Sequence, residues 1–121
     1  MPTIQELAKK KCRACHGDTP PLSPDQVSEY LKSVPGWELA PDGKSISRPY
    51  LMKDFLAAVR CIQNCADVAE SEDHHPDIHL TGYRKLKIEL STHAIGGLSE
   101  NDFILAAKIE QLPKELKETK K

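Results

Sequence analysis

Apolar residues recur along this chain at two spacings, and the switches between them predict seven elements. Val27, Tyr30, Leu31 and Val34 follow each other at helical intervals. Ser23-Pro24-Asp25-Gln26 in front of them supplies an N-cap, a proline at the first helical position and a capping-box glutamine, and Pro35-Gly36 stops the helix. Trp37 to Ala40 and Lys44 to Tyr50 flank Pro41-Asp42-Gly43, which reads as a hairpin turned by the Asp-Gly pair. The longest helical pattern runs roughly over 53–70. Phe55, Ala58, Val59, Ile62, Cys65, Ala66 and Ala69 make its broad apolar face, and Asp54 near its start complements the helix dipole. Asp77 to Leu80 predicts a short strand, Thr81-Gly82 a break, and Tyr83 to Thr92 a second strand. Leu86, Ile88 and Leu90 alternate there with Lys85, Lys87 and Glu89, so one face is buried. The same parity, carried on to His93, sets that histidine opposite the leucines. Ala94 to Leu98 reads as a loop. Ser99-Glu100-Asn101-Asp102 caps a last helix through Leu112, with Phe103, Ala106, Ile109 and Leu112 among its apolar positions, and Pro113 ends it.

The order helix, strand, strand, helix, strand, strand, helix implies an α+β domain: a mainly antiparallel four-stranded sheet with three helices on one face. It spans residues 23–113, between a separate N-terminal segment (1–22) and a charged tail (114–121) expected to fray. No internal repeat suggests a solenoid. A chain of 121 residues has room for one modest core, and 29% charged with 39% hydrophobic residues suits a soluble globular protein. A net charge of −1 argues against nucleic acid or an anionic membrane as partner. No apolar run reaches membrane-spanning length, and the first residues lack the apolar core of a secretory signal. A cytoplasmic location and four reduced thiols are the expectation.

Candidate chemistry is concentrated between Glu70 and Asp102, which enclose four of the five histidines: His74, His75, His79 and His93. Imidazole titrates near neutrality, so several together can both give and take protons. There is no nucleophile motif and no phosphate loop, which leaves acid–base chemistry or a metal. His75-x3-His79 has ligand-like spacing, with His93 or Asp77 to complete a zinc site, but Pro76 breaks the helix that would bring the pair together. Simpler roles compete elsewhere. His79 reads as a solvent-facing strand residue and Tyr83 as structural. Asp102 is explained equally by capping and by a pocket. Glu70 occupies a last helical turn, where a carboxylate is mildly unfavourable. Trp37 is accounted for by burial. Cys12-x-x-Cys15-His16 matches the c-type haem attachment pattern, yet nothing here exports the chain, and it offers zinc three ligands at best. An inert extension is its leading reading. Cys61 and Cys65 lie one helical turn apart, and Cys65 reads as a structural thiol.

The stretch Glu70-x3-His74-His75-Pro76-x6-Tyr83-x9-His93-x8-Asp102 resembles the signature of the pterin-4a-carbinolamine dehydratases. Leu90-Ser91-Thr92-His93, Gly97-Leu98-Ser99-Glu100, Pro35-Gly36-Trp37 and Lys53-Asp54-Phe55 are also similar to that family, and the likeness covers roughly Ser23 to Leu112. The resemblance implies an αββαββα sandwich, assembly as a homodimer or homotetramer, and removal of water from 4a-hydroxytetrahydropterin to give quinonoid dihydropterin. That reaction recycles the cofactor of aromatic amino-acid hydroxylases and needs no metal or organic cofactor. By the same resemblance His74, His75 and His93 are catalytic, and Glu70, Asp73, Trp37 and Asp102 lie in or near the pocket. His74 and His93 are expected to be the acid–base pair, with His75 orienting the pterin. Some animal members also serve as dimerisation partners of a homeodomain transcription factor, so a binding module is the rival class.

Overall fold

The computed structural model describes residues 3–12 and 20–117, and of His93 the backbone alone. All seven predicted elements are present in order: α2 (Pro24–Ser33), β1 (Glu38–Leu39), β2 (Ile46–Leu51), α3 (Phe55–Glu72), β3 (Asp77–Thr81), β4 (Lys85–Leu90) and α4 (Glu100–Glu110). An additional helix, α1 (Ile4–Lys9), precedes them, and a short 3-10 turn spans His93–Ile95. The sheet is antiparallel throughout, in the order β1-β2-β4-β3. Two hairpins therefore lie side by side, joined by β2 and β4 from Ile46↔Leu90 to Leu51↔Lys85. This register sends Ile46, Tyr50, Leu86, Ile88 and Leu90 into the core, and leaves Pro49, Leu51, Lys85 and Lys87 on the open face.

The capping signals hold locally. Ser23 accepts from the Gln26 N–H and Gln26 bonds back to the Ser23 N–H. Asp54 is the N-cap of α3, accepting from the Ala57 N–H at 2.8 Å, which is more specific than a dipole contact. The hairpin turn closes through Gly43 at φ +72, beside an Asp42 carboxylate that accepts the Lys44 N–H.

Four expectations need correction. The N-terminal segment is not separate from the domain as far as it is described: α1 lies on α4, Leu7 is fully buried, and Leu22 donates to the Leu98 carbonyl at 2.8 Å. Gly97 sits against this segment so closely that a Cβ there would come within 2.9 Å of Pro21 Cβ. The α1 cover is why α4 is buried on nearly every side, Ile104, Leu105 and Ala107 included, rather than along one stripe.

The inner face of α3 is also set differently. Ala57, Ala58, Cys61, Cys65 and Ala69 are buried, while Phe55, Leu56 and Val59 face outward. Small side chains let α3 approach its neighbours closely, and the bulky ones are left outside. Strand β4 stops at Leu90, because that residue already faces Ile46, the first residue of β2. Thr92 bridges to Gly97 instead, so strand parity does not extend to His93. Finally, the tail through Lys117 is docked. Leu116 bridges Met52, Lys53 N–H donates to the Glu115 carbonyl, and Lys117 N–H donates to the Leu51 carbonyl. β1 is too short to pair this end of β2, and the tail satisfies the exposed edge.

Candidate functional site

Helix α3 ends in a tight reversal that delivers the first histidine. Asp73 takes the left-handed conformation (φ +52), its N–H bonding the Ala69 and Glu70 carbonyls, and the His74 N–H also reaches the Ala69 carbonyl. Aspartate tolerates this region better than most side chains. His74 Nε2 then lies 2.7 Å from Asp102 Oδ1. Asp102 is fully buried in the first turn of α4, where the helix dipole favours an anion.

The other carboxylate oxygen is saturated by neutral donors. Thr92 Oγ1 donates to Asp102 Oδ2 at 2.8 Å, and the Ser99 N–H donates to it at 3.0 Å. Because the Thr92 proton is committed, the 2.7 Å contact between Ser99 and Thr92 has Ser99 as donor. Acting only as acceptor, Asp102 requires a proton on His74 Nε2. Nδ1 is the nitrogen not engaged by Asp102, and so the one available to a ligand. This is the arrangement of a general acid–base histidine with a fixed orienting carboxylate.

His75 points to a different environment. Its Nε2 contacts Glu70 Oε2, and both side chains are largely exposed. His93 begins the turn after Thr92, so its backbone adjoins the residue that holds Asp102; its side chain lies outside what is described. A cleft of about 320 Å³ opens beside this turn, lined by Asp77, Glu89, Ser91, Thr92 and Gly96 among others. That volume falls in the range of small-molecule sites.

Among the expected pocket residues, Glu70, Asp73 and Asp102 gather around the two adjacent histidines. Trp37 does not join them within one chain. It is buried at the far end of α4, its Nε1 donating to Glu110 Oε1 at 3.0 Å. Glu110 stands eight residue steps along α4 from Asp102, roughly 12 Å along the axis. The capping box pairs Ser99 with Asp102 as the sequence predicts, and sequence reasoning missed only Thr92 as a partner of Asp102. Ser99 carried a signal as the capping residue, whereas Thr92 carried none beyond its place before His93. Asp102 serves both of its competing readings at once, since the oxygen that accepts the Ser99 N–H is not the one that meets His74.

His79 stands on the outer face of β3, half exposed and 3.6 Å from Glu89, apart from His75. Among the described residues, no three potential ligands are grouped as a metal would require. Of the Cys-x-x-Cys-His motif, Cys15 and His16 lie outside the described residues. The half-buried Cys12 thiol is pushed up to about 12, first by burial and then by the Glu72 carboxylate, which keeps it protonated. On α3, the hydrogen bond from Cys65 lowers Cys61 to about 7 against its burial, and raises Cys65 in return. No helix of the described residues is long and apolar enough to cross a membrane.

The family model described as Pterin 4 alpha carbinolamine dehydratase matches residues 20–112. A protein of Nitrosospira multiformis named as a putative pterin-4-alpha-carbinolamine dehydratase is 44% identical over 110 residues, covering 91% of this chain and 95% of its own. The Arabidopsis thaliana protein named pterin-4-alpha-carbinolamine dehydratase 2, mitochondrial, is 45% identical over 113 residues, 91% of this chain. This chain spans 60% of that plant protein's length. Matches of this extent necessarily take in part of the first 22 residues. Among solved structures, a transcriptional coactivator/pterin dehydratase from Brucella melitensis superposes with a TM-score of 0.70 at 30% identity, over 74% of this chain and 95% of that one.

Proposed function

The chain belongs to the pterin 4 alpha carbinolamine dehydratase family, and from that premise we propose that it dehydrates 4a-hydroxytetrahydropterin to quinonoid dihydropterin by histidine acid–base catalysis without a metal. The C4a hydroxyl is a poor leaving group as hydroxide and needs a proton to depart as water. The N5 proton must leave as the C=N bond forms. In this reading neutral His74 takes the N5 proton on Nδ1, and the buried Asp102 carboxylate stabilises the imidazolium that results. His93 protonates the departing hydroxyl. His75, steadied by Glu70 at the surface, binds and orients the pterin, with Asp73 beside it.

The observation that carries this reading is the His74–Asp102 pair, 2.7 Å long and closed off from water on the carboxylate side. The test follows the absorbance change as freshly generated 4a-hydroxytetrahydropterin dehydrates, with chelator present. His74→Ala and His93→Ala are expected to lower kcat by about 100-fold or more, and His75→Ala chiefly to raise KM. Acceleration abolished by chelator would transfer the histidines to a metal. Full turnover in His74→Ala together with loss in His75→Ala would exchange their roles.

Assembly and setting belong to the same proposal. Phe55, Leu56 and Val59 expose a large apolar patch on α3, and Leu51 and Leu116 are also exposed. We assign this patch to contact between copies of the chain, in a homodimer or homotetramer that light scattering would reveal. The product feeds pterin recycling for aromatic amino-acid hydroxylation in an aqueous compartment, cytoplasmic in our reading; the plant relative's name places that protein in mitochondria. The Brucella protein is also named as a transcriptional coactivator, and a folded chain with no dehydratase activity would favour such a binding role.

A further inference from the structure

Glu72 closes α3 with its carboxylate almost out of solvent, at 6% side-chain exposure. A buried anion at a helix C-terminus is disfavoured by the dipole and by desolvation, so its partners must hold it there. Two do. Oε1 accepts the backbone N–H of Cys12 at 2.8 Å, and Oε2 faces Lys108 Nζ at 3.8 Å. Lys108 in turn donates to the Ala8 carbonyl at 2.6 Å, and the Cys12 thiol donates to the Asn101 carbonyl at 3.7 Å. One carboxylate thus ties the N-terminal segment, the end of α3 and the side of α4 together. The proton-transfer scheme uses none of these contacts. Yet Glu72 directly precedes the left-handed Asp73, and His74 leaves that turn to meet Asp102 on the same α4 that carries Lys108. A left-handed non-glycine turn persists only where its surroundings hold it.

We propose that Glu72 is a positioning residue for the His74–Asp102 pair, and that the N-terminal segment takes part through the Cys12 N–H that Glu72 accepts. Cys12 falls outside the stretch matched by the family model, although relatives aligned over 93% of this chain reach it. The kinetic arm of the test rests on the dehydratase reading; the spectroscopic arm does not.

The readouts are kcat and KM for dehydration, and the hydrogen-bonded imidazole N–H resonance of His74 in the full chain. Glu72→Leu is expected to lower kcat roughly tenfold with KM within about twofold, and to lose the His74 resonance to exchange. Glu72→Gln, which keeps an acceptor for the Cys12 N–H, recovers most of both. Cys12→Pro removes that N–H and follows Glu72→Leu, while Cys12→Ala keeps it and follows wild type. Should Glu72→Leu not fold, the Cys12 pair decides alone. Folded Glu72→Leu or Cys12→Pro with the resonance and kcat of wild type overturns the proposal. A wild-type chain without dehydratase activity would sink the catalytic reading, and the resonance would still decide this one.

Discussion

The two ends of α4 each hold a hydrogen-bonded carboxylate, fully buried at Asp102 and part-buried at Glu110, and they are built for different work. At the first turn Asp102 meets two neutral donors and one imidazole. In the last turn Glu110 accepts from the Trp37 indole and the Tyr50 hydroxyl on one oxygen, and faces Arg48 at 2.8 Å on the other. The dipole helps the first anion and opposes the second, which is why only the second needs a permanent cation. Glu110 is held by an indole, a phenol and a guanidinium, an assembly that serves the fold. Asp102 is held against an imidazole, the side chain suited to acid–base work, and under the proposed mechanism the same local device serves chemistry. Carboxylate burial alone does not mark a functional site; the chemistry of what it binds does.

The sharpest way to break this comparison is to neutralise each carboxylate in turn. Asp102→Asn is expected to cut kcat/KM by about 100-fold, while Glu110→Gln leaves it within about twofold. Equal losses of activity in the two variants would erase the distinction. Stability should show the reverse contrast. Leu7→Ala removes the α1 anchor from the middle of α4 and is expected to cost about 2–5 kcal/mol in denaturant melts. Glu110→Gln strands Arg48 and weakens two hydrogen bonds, a cost of about 1–3 kcal/mol in the same melts.

The smallest effect is a pH dependence. Burial first, then the hydrogen bond to Glu110, raises the Tyr50 hydroxyl above its usual 10. The native chain keeps a proton that the unfolded chain releases, so this stabilisation is intact below pH 10 and falls as pH rises beyond it. Melting temperatures of Tyr50→Phe should decline less steeply than wild type on that alkaline limb. Parallel limbs would remove Tyr50 from the account.

Much of the fold was readable because its signals are local. Ser23 with Gln26, Asp54 before Phe55, Gly43 in its turn and the alternation of Leu86, Ile88 and Leu90 each act within a few residues of themselves. What failed depended on partners distant in sequence. The apolar face assigned to α3 included Phe55 and Val59, but which apolar residues turn inward depends on what packs against them. The strand drawn to Thr92 ended where its neighbour's pairing ended. Leu7 gave no sign of being core, since six residues of helix bury nothing until α4 is beside them.

The element order, the caps, the sheet's buried parity and the residue set from Glu70 to Asp102 that carries the family's signature all follow from the order of the amino acids. Which of those residues meet follows from the packing. It set His74 on Asp102 and His75 on Glu70, and it held Trp37 at the far end of the same helix. The physical reason is range. Backbone conformation and capping follow from neighbours along the chain, whereas the His74–Asp102 hydrogen bond is fixed by the packing of segments 28 residues apart, and no spacing in the sequence records that distance.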